Sequence, residues 1–337
     1  MNFISNLFKF KHCLWFVTTR CNSRCSICNI WRDSFYRLKE SSLSERIYLL
    51  RQLSQLNFKS IDFSGGEPLL YEDLPYLVGE AHNLGFFTSL TTNGTLYLKF
   101  ANKLKGNLSE LKFSLQAADE EIHNNQRGIN CYKDVIKSII YARKLNEKVI
   151  IKSIIKNEYI ELIPDLIKLS EKYGIPIELS PEFEYFGNQS LTIENLNKLM
   201  KFAKHSNVIL NLAYLKFFKD GGNNNLKPLC QIGRKVLVLT PDNRIYSPCF
   251  HHEFDLIPII NLNLKKTLEA ADFKGSFLMA GHYYFCNFCK ISCYFEPIFY
   301  IKPNKYFVDA YISKLNYNIK NLILRFKRNL IDRNELF

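Results

Sequence analysis

Short apolar runs alternate with helical patterns through the first 210 residues of the chain. Residues 43–57 and 132–146 carry apolar side chains three or four positions apart, which predicts helices. The runs between such segments are rich in Val, Ile, Phe and Leu and have the length of buried strands. They are residues 13–19, 60–66, 86–94, 111–117, 148–155 and 175–183. Strands that alternate with helices predict a parallel sheet with right-handed crossovers.

This alternation predicts an α/β fold. Six strand–helix units are too few to close an eight-stranded barrel. We therefore expect an open, partial (β/α)6 TIM-like barrel over residues 13–210, with its site at the carboxyl ends of the strands.

The pattern changes after residue 210. Residues 221–225, with the sequence GGNNN, predict a flexible loop, and residues 234–246 predict a β-hairpin that turns at Pro-Asp-Asn. Cysteines surround this hairpin. We expect a small C-terminal cysteine-rich domain over residues 211–300.

The tail, residues 301–337, predicts a basic amphipathic helix. Its apolar stripe comprises Phe307, Tyr311, Leu315, Ile319, Leu322, Phe326 and Leu330, and lysines and arginines occupy its other faces. Two interpretations follow: a helix docked on the rest of the protein, or one that contacts a membrane surface or a partner protein.

Composition narrows the class of protein. The 337 residues are 47% hydrophobic, which is enough for a sizeable core, and no apolar run is long enough to span a bilayer. The first 13 residues do not resemble a secretory signal. The net charge of +13 fits solvated lysines, and no nucleic-acid-binding module is visible, so we expect no specific nucleic-acid partner.

The ten cysteines indicate a reducing compartment, and we expect a cytoplasmic protein. They form an early group and a late group, which favours metal or cluster ligation over disulfides. In the early group Cys21, Cys25 and Cys28 are spaced C-x3-C-x2-C with no fourth ligand nearby. Three thiolates can hold three irons of a [4Fe–4S] cluster and leave the fourth iron open, whereas structural zinc needs four ligands.

Further motifs follow the next three strands. They are SGGEP at 64–68, TTNG at 91–94 and FSLQAADEEIHNNQRG at 113–128. With the C-x3-C-x2-C loop, this order resembles the radical S-adenosylmethionine (radical SAM) superfamily over residues 13–210. The resemblance implies that a reduced cluster cleaves S-adenosylmethionine to a 5′-deoxyadenosyl radical, which abstracts a hydrogen atom from the substrate. It also implies an electron donor such as flavodoxin or ferredoxin.

The resemblance assigns roles to individual residues. Cys21, Cys25 and Cys28 would ligate the cluster; Ile27 would lie against adenine; Gly65, Gly66 and Glu67 would hold the methionine moiety; Ser114 and Arg127 would contact the ribose or carboxylate. Strand packing for Ser114 and a surface ion pair for Arg127 are the alternatives. Gln116 stands where relatives often carry Asp, so its role is open.

The late cysteines resemble a SPASM/Twitch auxiliary-cluster extension. Cys230 and Cys249 bracket the predicted hairpin, and Cys286 and Cys289 form a C-x2-C pair. These four would hold one auxiliary [4Fe–4S] cluster, with Cys293 as a rival for the last position. Four thiolates also describe a zinc site, so that alternative stays open.

Two histidines follow a predicted cluster ligand. His251 and His252 are candidate catalytic residues, since a histidine could take the proton released when a substrate radical is oxidised. Glu182 and Glu184, at the end of the sixth predicted strand, are weaker candidates; surface positions are the alternative for the histidines.

The reaction class is less constrained by the sequence. An auxiliary cluster can accept a second electron, which favours two-electron oxidation of a small molecule or sugar-like alcohol by a radical SAM oxidoreductase. About 12 residues precede the first strand, whereas peptide modifiers often carry a leader-binding domain there. Peptide or protein modification is the second hypothesis, and a non-enzymatic iron–sulfur or zinc-binding protein is the third.

Overall fold

The computed structural model describes residues 11–32, 37–184, 188–250, 255–301 and 303–334. Its strands are β1 Lys11–Thr18, β2 Phe58–Gly65, β3 Phe87–Thr92, β4 Glu110–Ser114, β5 Val149–Ile155, β6 Ile177–Pro181, β7 Val208–Ile209, β8 Val236–Leu239, β9 Arg244–Ser247 and β10 Asp255–Pro258. Its α-helices are α1 Leu43–Gln55, α2 Leu74–Asn83, α3 Tyr97–Leu104, α4 Glu120–Arg127, α5 Tyr132–Lys144, α6 Ile163–Tyr173, α7 Ile193–Lys201, α8 Leu212–Lys219, α9 Leu264–Glu269, α10 Ala271–Leu278, α11 Ser292–Ile301 and α12 Phe307–Asn334.

These strands form one sheet in the order β10-β9-β8-β1-β2-β3-β4-β5-β6-β7. Strands β1 to β7 pair in parallel with their neighbours along the chain, and β8 pairs in parallel with the other side of β1. The sheet has two ends, so it does not close. This confirms the predicted α/β fold with a partial TIM-like barrel.

The six predicted strands are all present because their apolar runs are buried. In β1, Cys13, Trp15 and Val17 are fully inaccessible to solvent. Helices cover a parallel sheet, so its strands are apolar along their whole length. The predicted helices at 43–57 and 132–146 are also present as α1 and α5. A capping box formed by Ser42 and Glu45 fixes the start of α1.

The C-terminal region continues the same sheet. The predicted hairpin is formed by β8 and β9, and β8 lies beside His12–Trp15 of β1. Arg46 is fully buried and joins the two regions: its guanidinium donates to the carbonyl oxygens of Val17 (2.8 Å) and Pro241 (2.9 Å). Backbone and side-chain bonds therefore cross the boundary that the sequence places at residue 210.

The predicted tail helix is α12. It packs against α8, and Lys320 Nζ donates to the carbonyl oxygens of Ala203 and Val208. Among the α12 side chains that the structure describes, five apolar ones are nevertheless exposed: Val308, Ile312, Leu315, Ile319 and Leu322. Contact of the tail helix with a membrane surface or a partner protein stays a prediction. Within the described ranges, no helix is long and apolar enough to cross a membrane.

Candidate functional site

The C-x3-C-x2-C loop leaves the carboxyl end of β1. Strands β2, β3 and β4 run parallel to β1, so the loops that carry the SGGEP, TTNG and RG motifs begin at the same edge. This is the edge where barrel-type sheets place their sites. The motifs that are separate in the sequence are therefore brought together around the cysteine loop.

The two glycines of SGGEP let β2 approach that loop. A Cβ at Gly65 would lie 2.0 Å from the Thr18 carbonyl oxygen, and one at Gly66 would lie 2.2 Å from the Arg20 carbonyl oxygen. The Gly66 N–H donates to the Thr18 oxygen at 3.0 Å. Only glycine fits so close a backbone contact. The space that the missing side chains leave is used by the cysteine loop.

Glu67 ties the ends of β2 and β3 together. Its side chain is only 1% exposed. One carboxylate oxygen accepts from the Thr92 hydroxyl (2.6 Å) and the Leu69 N–H (3.2 Å), and the other accepts from the Asn93 N–H (2.7 Å). Burial raises the pKa of Glu67, and these bonds oppose that rise. Its contact with the methionine amino group stays a prediction.

Asn93 is a site residue to which the sequence analysis gives no role. It is buried, and its Nδ2 donates to Asn22 Oδ1 (2.7 Å) and Ser23 Oγ (3.0 Å), both within the cysteine loop. Its own Oδ1 accepts from Thr95. The sequence feature that could have indicated this role is the polar Asn93 at a predicted strand end, together with the polar pair Asn22 and Ser23 directly after the first cysteine.

Helix α4 supports the cysteine loop from the opposite side. The Arg24 N–H donates to the Arg127 carbonyl oxygen at 2.9 Å, and the Ser26 N–H donates to the Gln126 oxygen at 3.3 Å. Gly128 ends the helix with φ 65°, and a Cβ there would lie 2.4 Å from the Arg24 carbonyl oxygen. The glycine of the RG motif is thus required by packing against the loop.

His123 holds the segment that leads into α4. Its Nδ1 accepts from the Gln116 N–H at 3.1 Å, and its Nε2 lies 3.4 Å from Cys131 Sγ. Burial lowers the pKa of His123 to about 3, so the ring is neutral and can accept this bond. The Gln116 side chain in turn accepts from the Ile154 N–H at 2.9 Å. Gln116 therefore links β4 to β5.

The remaining residues assigned to S-adenosylmethionine lie around this loop. Among the described residues, the buried Nε of Arg127 has no hydrogen-bond partner, and the charge of Arg127 acts on Cys21 and Cys28. Ser114 is the half-buried last residue of β4. The Ile27 carbonyl oxygen accepts from Asn188 at 3.2 Å. The charge of Arg127 also acts on the buried Glu67. A cationic side chain with an unsatisfied buried N–H beside Cys21 and Cys28 fits an anionic group at this position.

The thiol groups of the early cysteines lie close enough to interact electrostatically. Burial raises the pKa of Cys21 and that of Cys28, the latter to about 11, and neighbouring thiolates add to both shifts. Arg127 opposes the shifts. Loading iron on these thiols therefore requires release of their protons, and the donor set of three soft ligands with a nearby cation fits an iron–sulfur cluster.

The late cysteines are divided between two cavities. A small cavity of about 20 Å³ is lined by Cys230, Cys249, Cys286 and Cys289. Cys293 instead lines a separate, larger cavity inside the barrel. Burial raises the pKa of Cys230 to about 12. In the described part of the chain, no three His, Cys, Asp or Glu side chains are arranged to hold a single metal ion.

Asn223 organises the small cavity. It lies in the GGNNN segment, which the sequence predicts to be a flexible loop, yet its side chain is 2% exposed. Its Nδ2 donates to the carbonyl oxygens of Gly281 and Cys286, each at 3.0 Å, and its Oδ1 accepts from the Leu229 N–H. These bonds hold together the segments that carry Cys230 and Cys286. The prediction of a flexible loop is wrong at Asn223.

The remaining catalytic candidates are placed differently. His251 and His252 lie outside the described residues. Glu184 is exposed. Glu182 follows β6 at the edge that bears the motifs. It is 6% exposed, and its buried Oε1 has no hydrogen-bond partner in the part of the chain that the structure describes.

Glu182 gives a prediction about pH. Burial raises the pKa of its carboxyl group to about 7, since the charged form lacks a buried partner for Oε1. A carboxyl group whose pKa is higher in the folded than in the unfolded protein stabilises the fold most at pH values below its unfolded pKa. This contribution to the free energy of unfolding is lost as the pH rises through the folded pKa of about 7. Between pH 4.5 and 8, we expect Glu182→Gln to remove up to about 3 kcal/mol of the pH-dependent change in the free energy of unfolding. Denaturant unfolding at several pH values measures this; parallel curves for both proteins would contradict it.

Comparison with known proteins agrees with this geometry. The radical SAM superfamily model matches residues 15–169. Among solved structures, Streptococcus suis SuiB bound to S-adenosylmethionine is 16% identical, with 80% of this chain and 68% of SuiB covered and a TM-score of 0.61. SuiB bound to the precursor peptide SuiA is also 16% identical, with 79% of this chain and 66% of SuiB covered and a TM-score of 0.62.

A second solved protein is similar over nearly its whole length. Native anSMEcpe with bound AdoMet and Cp18Cys peptide is 19% identical, with 93% of this chain and 99% of that chain covered and a TM-score of 0.60. The family match includes the cysteine loop and the motifs at the ends of β2, β3 and β4. The cysteine-rich region expected after the barrel is also present. Residues 15–169 therefore match a radical SAM domain, the kind of domain in which a [4Fe–4S] cluster and S-adenosylmethionine are bound.

Proposed function

We propose that this radical SAM enzyme modifies a peptide or protein side chain. The observation that carries the proposal is the similarity, over 93% of this chain, to anSMEcpe, whose structure holds a peptide. SuiB bound to its precursor peptide adds support. The oxidation of a small molecule or sugar-like alcohol has no comparable support and stays a prediction.

The residues of the first site have distinct tasks in this proposal. Cys21, Cys25 and Cys28 hold the cluster, and Arg127, whose buried Nε–H has no acceptor among the described residues, offers charge to an anionic part of S-adenosylmethionine. The chemistry that these groups supply when bound is reductive cleavage of S-adenosylmethionine and removal of a hydrogen atom from the substrate. Glu67 and Asn93 hold the cysteine loop in register with the ends of β2 and β3.

We assign the auxiliary [4Fe–4S] cluster to Cys230, Cys249, Cys286 and Cys289, because they line one cavity together. Cys289→Ala is expected to remove about four irons per chain, whereas the matched variant Cys293→Ala retains them. Iron and sulfide analysis after anaerobic reconstitution measures this difference. Equal iron loss in both variants would show that Cys293 is also a ligand. Zinc in place of iron would support the alternative of a zinc site.

Peptide modification can be tested with the reconstituted enzyme. The protein is incubated with S-adenosylmethionine, a strong reductant and either a pool of synthetic peptides or a pool of polyols and aminosugars. 5′-Deoxyadenosine and the masses of the pool members are followed by mass spectrometry. We expect 5′-deoxyadenosine formation to rise with peptides, together with a mass change in one of them.

The two pools separate the hypotheses. A mass loss of two hydrogens in a polyol, with unchanged peptides, would replace the proposal with alcohol oxidation. Absence of 5′-deoxyadenosine from a fully loaded enzyme with both pools would contradict radical chemistry altogether.

A further inference from the structure

A second cavity lies inside the barrel, away from the small cysteine-lined cavity. It has a volume of about 510 Å³ and is lined by side chains from β1 to β7. Helices α11 and α12 contribute its opposite wall, for example with Glu296 and Tyr300. This volume is in the range of sites that hold small ligands. None of the motif residues of the first site lines it.

Four charged side chains in this cavity neutralise one another. Lys112 Nζ lies 3.3 Å from Glu110 Oε2 and 3.1 Å from Glu178 Oε2. Lys152 Nζ is paired with the other oxygen of Glu178. Two ammonium groups are thus balanced by two carboxylates, and Glu110 also accepts from the Tyr317 hydroxyl. This network leaves no surplus charge.

Two further carboxylates face the cavity without a cationic partner in the described residues. Asp62 has no ion pair or hydrogen bond to its carboxylate there, and Glu296 accepts only from Asn211 Nδ2 at 3.2 Å. Ser89 supplies an independent sign of a missing ligand. It lines the cavity, is 5% exposed, and its hydroxyl has no hydrogen-bond partner within the described ranges. Buried polar groups without partners are rare.

Lys112 acts electrostatically on Asp62, and Lys152 and Lys112 act on Glu296, but both lysines are ion-paired with Glu110 and Glu178. Lys314 is on the exposed side, with its Nζ 5.7 Å from the centre of the Tyr300 ring. Burial lowers the pKa of His12, so its ring is neutral, and its Nδ1 is bonded to Ser60 Oγ at 2.7 Å. Burial raises the pKa of Glu296, and the charge of Glu178 adds to this rise, which favours the neutral form of Glu296. The excess negative charge in the enclosed part of the cavity therefore rests on Asp62. Tyr214 and Tyr300 add aromatic faces that attract cations.

We propose that this cavity binds a primary ammonium group of the substrate at Asp62, beside its strand neighbour Ser89, with Glu296 of the same cavity as a further acceptor. The ammonium group would also donate to the Ser89 hydroxyl. The inference rests on the proposed function in taking the bound molecule to be the substrate. Both a lysine side chain of a peptide and a free amine supply this chemistry.

Binding can be measured without the radical reaction. The reconstituted full chain is titrated calorimetrically with n-pentylamine and with n-pentanol, which has the same length and no charge. Two short acetylated peptides, one containing lysine and one containing norleucine, form the second pair of probes. We expect the amine to bind at least about tenfold more tightly than the alcohol. A preference for the lysine peptide identifies a side chain as the source, and a preference for n-pentylamine alone identifies a free amine.

Variants connect the preference to the cavity. Asp62→Asn with Glu296→Gln is expected to abolish the preference for the amine, while Glu72→Gln, at an exposed ion pair with Lys99, leaves it unchanged. Removing two unpaired carboxylates should not harm folding, which thermal unfolding checks. Equal binding of amine and alcohol, or a preference that survives in the double variant, would overturn the inference. Because no 5′-deoxyadenosine is measured, failure here is distinct from failure of the proposed function.

Discussion

Replacing Cys25 with alanine is expected to abolish 5′-deoxyadenosine formation. The thiol is the middle ligand of a set of three, and the loop offers no substitute, because the other described cysteines are buried in the core or lie at the two later cavities. The iron content should fall from about eight to about four per chain, since the auxiliary site is built from other residues. Iron analysis and a 5′-deoxyadenosine assay on the same sample measure both effects.

Cys13→Ala is the matched control. Cys13 is fully buried in β1, and its side chain belongs to the hydrophobic core. The control should keep about eight irons and its activity, with only the stability loss of a small core truncation. If Cys25→Ala retained activity, or if both variants lost it equally, the assignment of the early cysteines to the catalytic cluster would be wrong.

The second large effect is expected from Gly66→Ala. The new Cβ would lie 2.2 Å from the Arg20 carbonyl oxygen and 2.9 Å from the Cβ of Cys21. The backbone of the cysteine loop must move to relieve this contact, at a cost of about 3 kcal/mol. Displacement of Cys21 should also remove about four irons and the 5′-deoxyadenosine activity. Denaturant unfolding and iron analysis provide the two readouts.

Gly79→Ala provides the comparison for this change. Gly79 lies within α2, and a Cβ there would meet only the Asn107 side-chain nitrogen at 3.8 Å. Alanine favours a helix, so this variant should be at least as stable as the parent. A Gly66→Ala protein that matched it in stability and iron content would show that the close approach of β2 to the loop is dispensable.

The sequence predicts the barrel and its motifs well because both depend on local patterns. Apolar runs of strand length and helical spacing determine the six strands and their crossovers, and the glycines mark places where backbones meet. The roles of Asn93 and His123 could not be predicted in the same way. Their partners, Ser23 and Gln116, are fixed only by how β3 and α4 pack against their surroundings.

The choice between Cys289 and Cys293 shows a similar limit. The two residues are four positions apart in the sequence, and spacing alone allows either to be a ligand. Cys289 precedes α11, whereas Cys293 is within that helix, and the packing of α11 turns Cys293 toward the barrel interior. The division of the late cysteines between two cavities is therefore a tertiary property. The charge balance of the larger cavity is likewise set by side chains from four strands, β2, β4, β5 and β6, and from helix α11.

The pairing of β8 with β1 has a consequence for any attempt to divide this enzyme. A fragment ending near residue 210 would leave one side of β1 as an open edge and would remove the Pro241 carbonyl oxygen that Arg46 binds. Open edges recruit strands from other molecules, and a buried guanidinium without its acceptor is costly. We therefore expect that the fragment ending near residue 210 cannot be separated from the C-terminal region without loss of stability. A chimera with the C-terminal region of another enzyme would have to supply both a strand for β1 and an acceptor for Arg46.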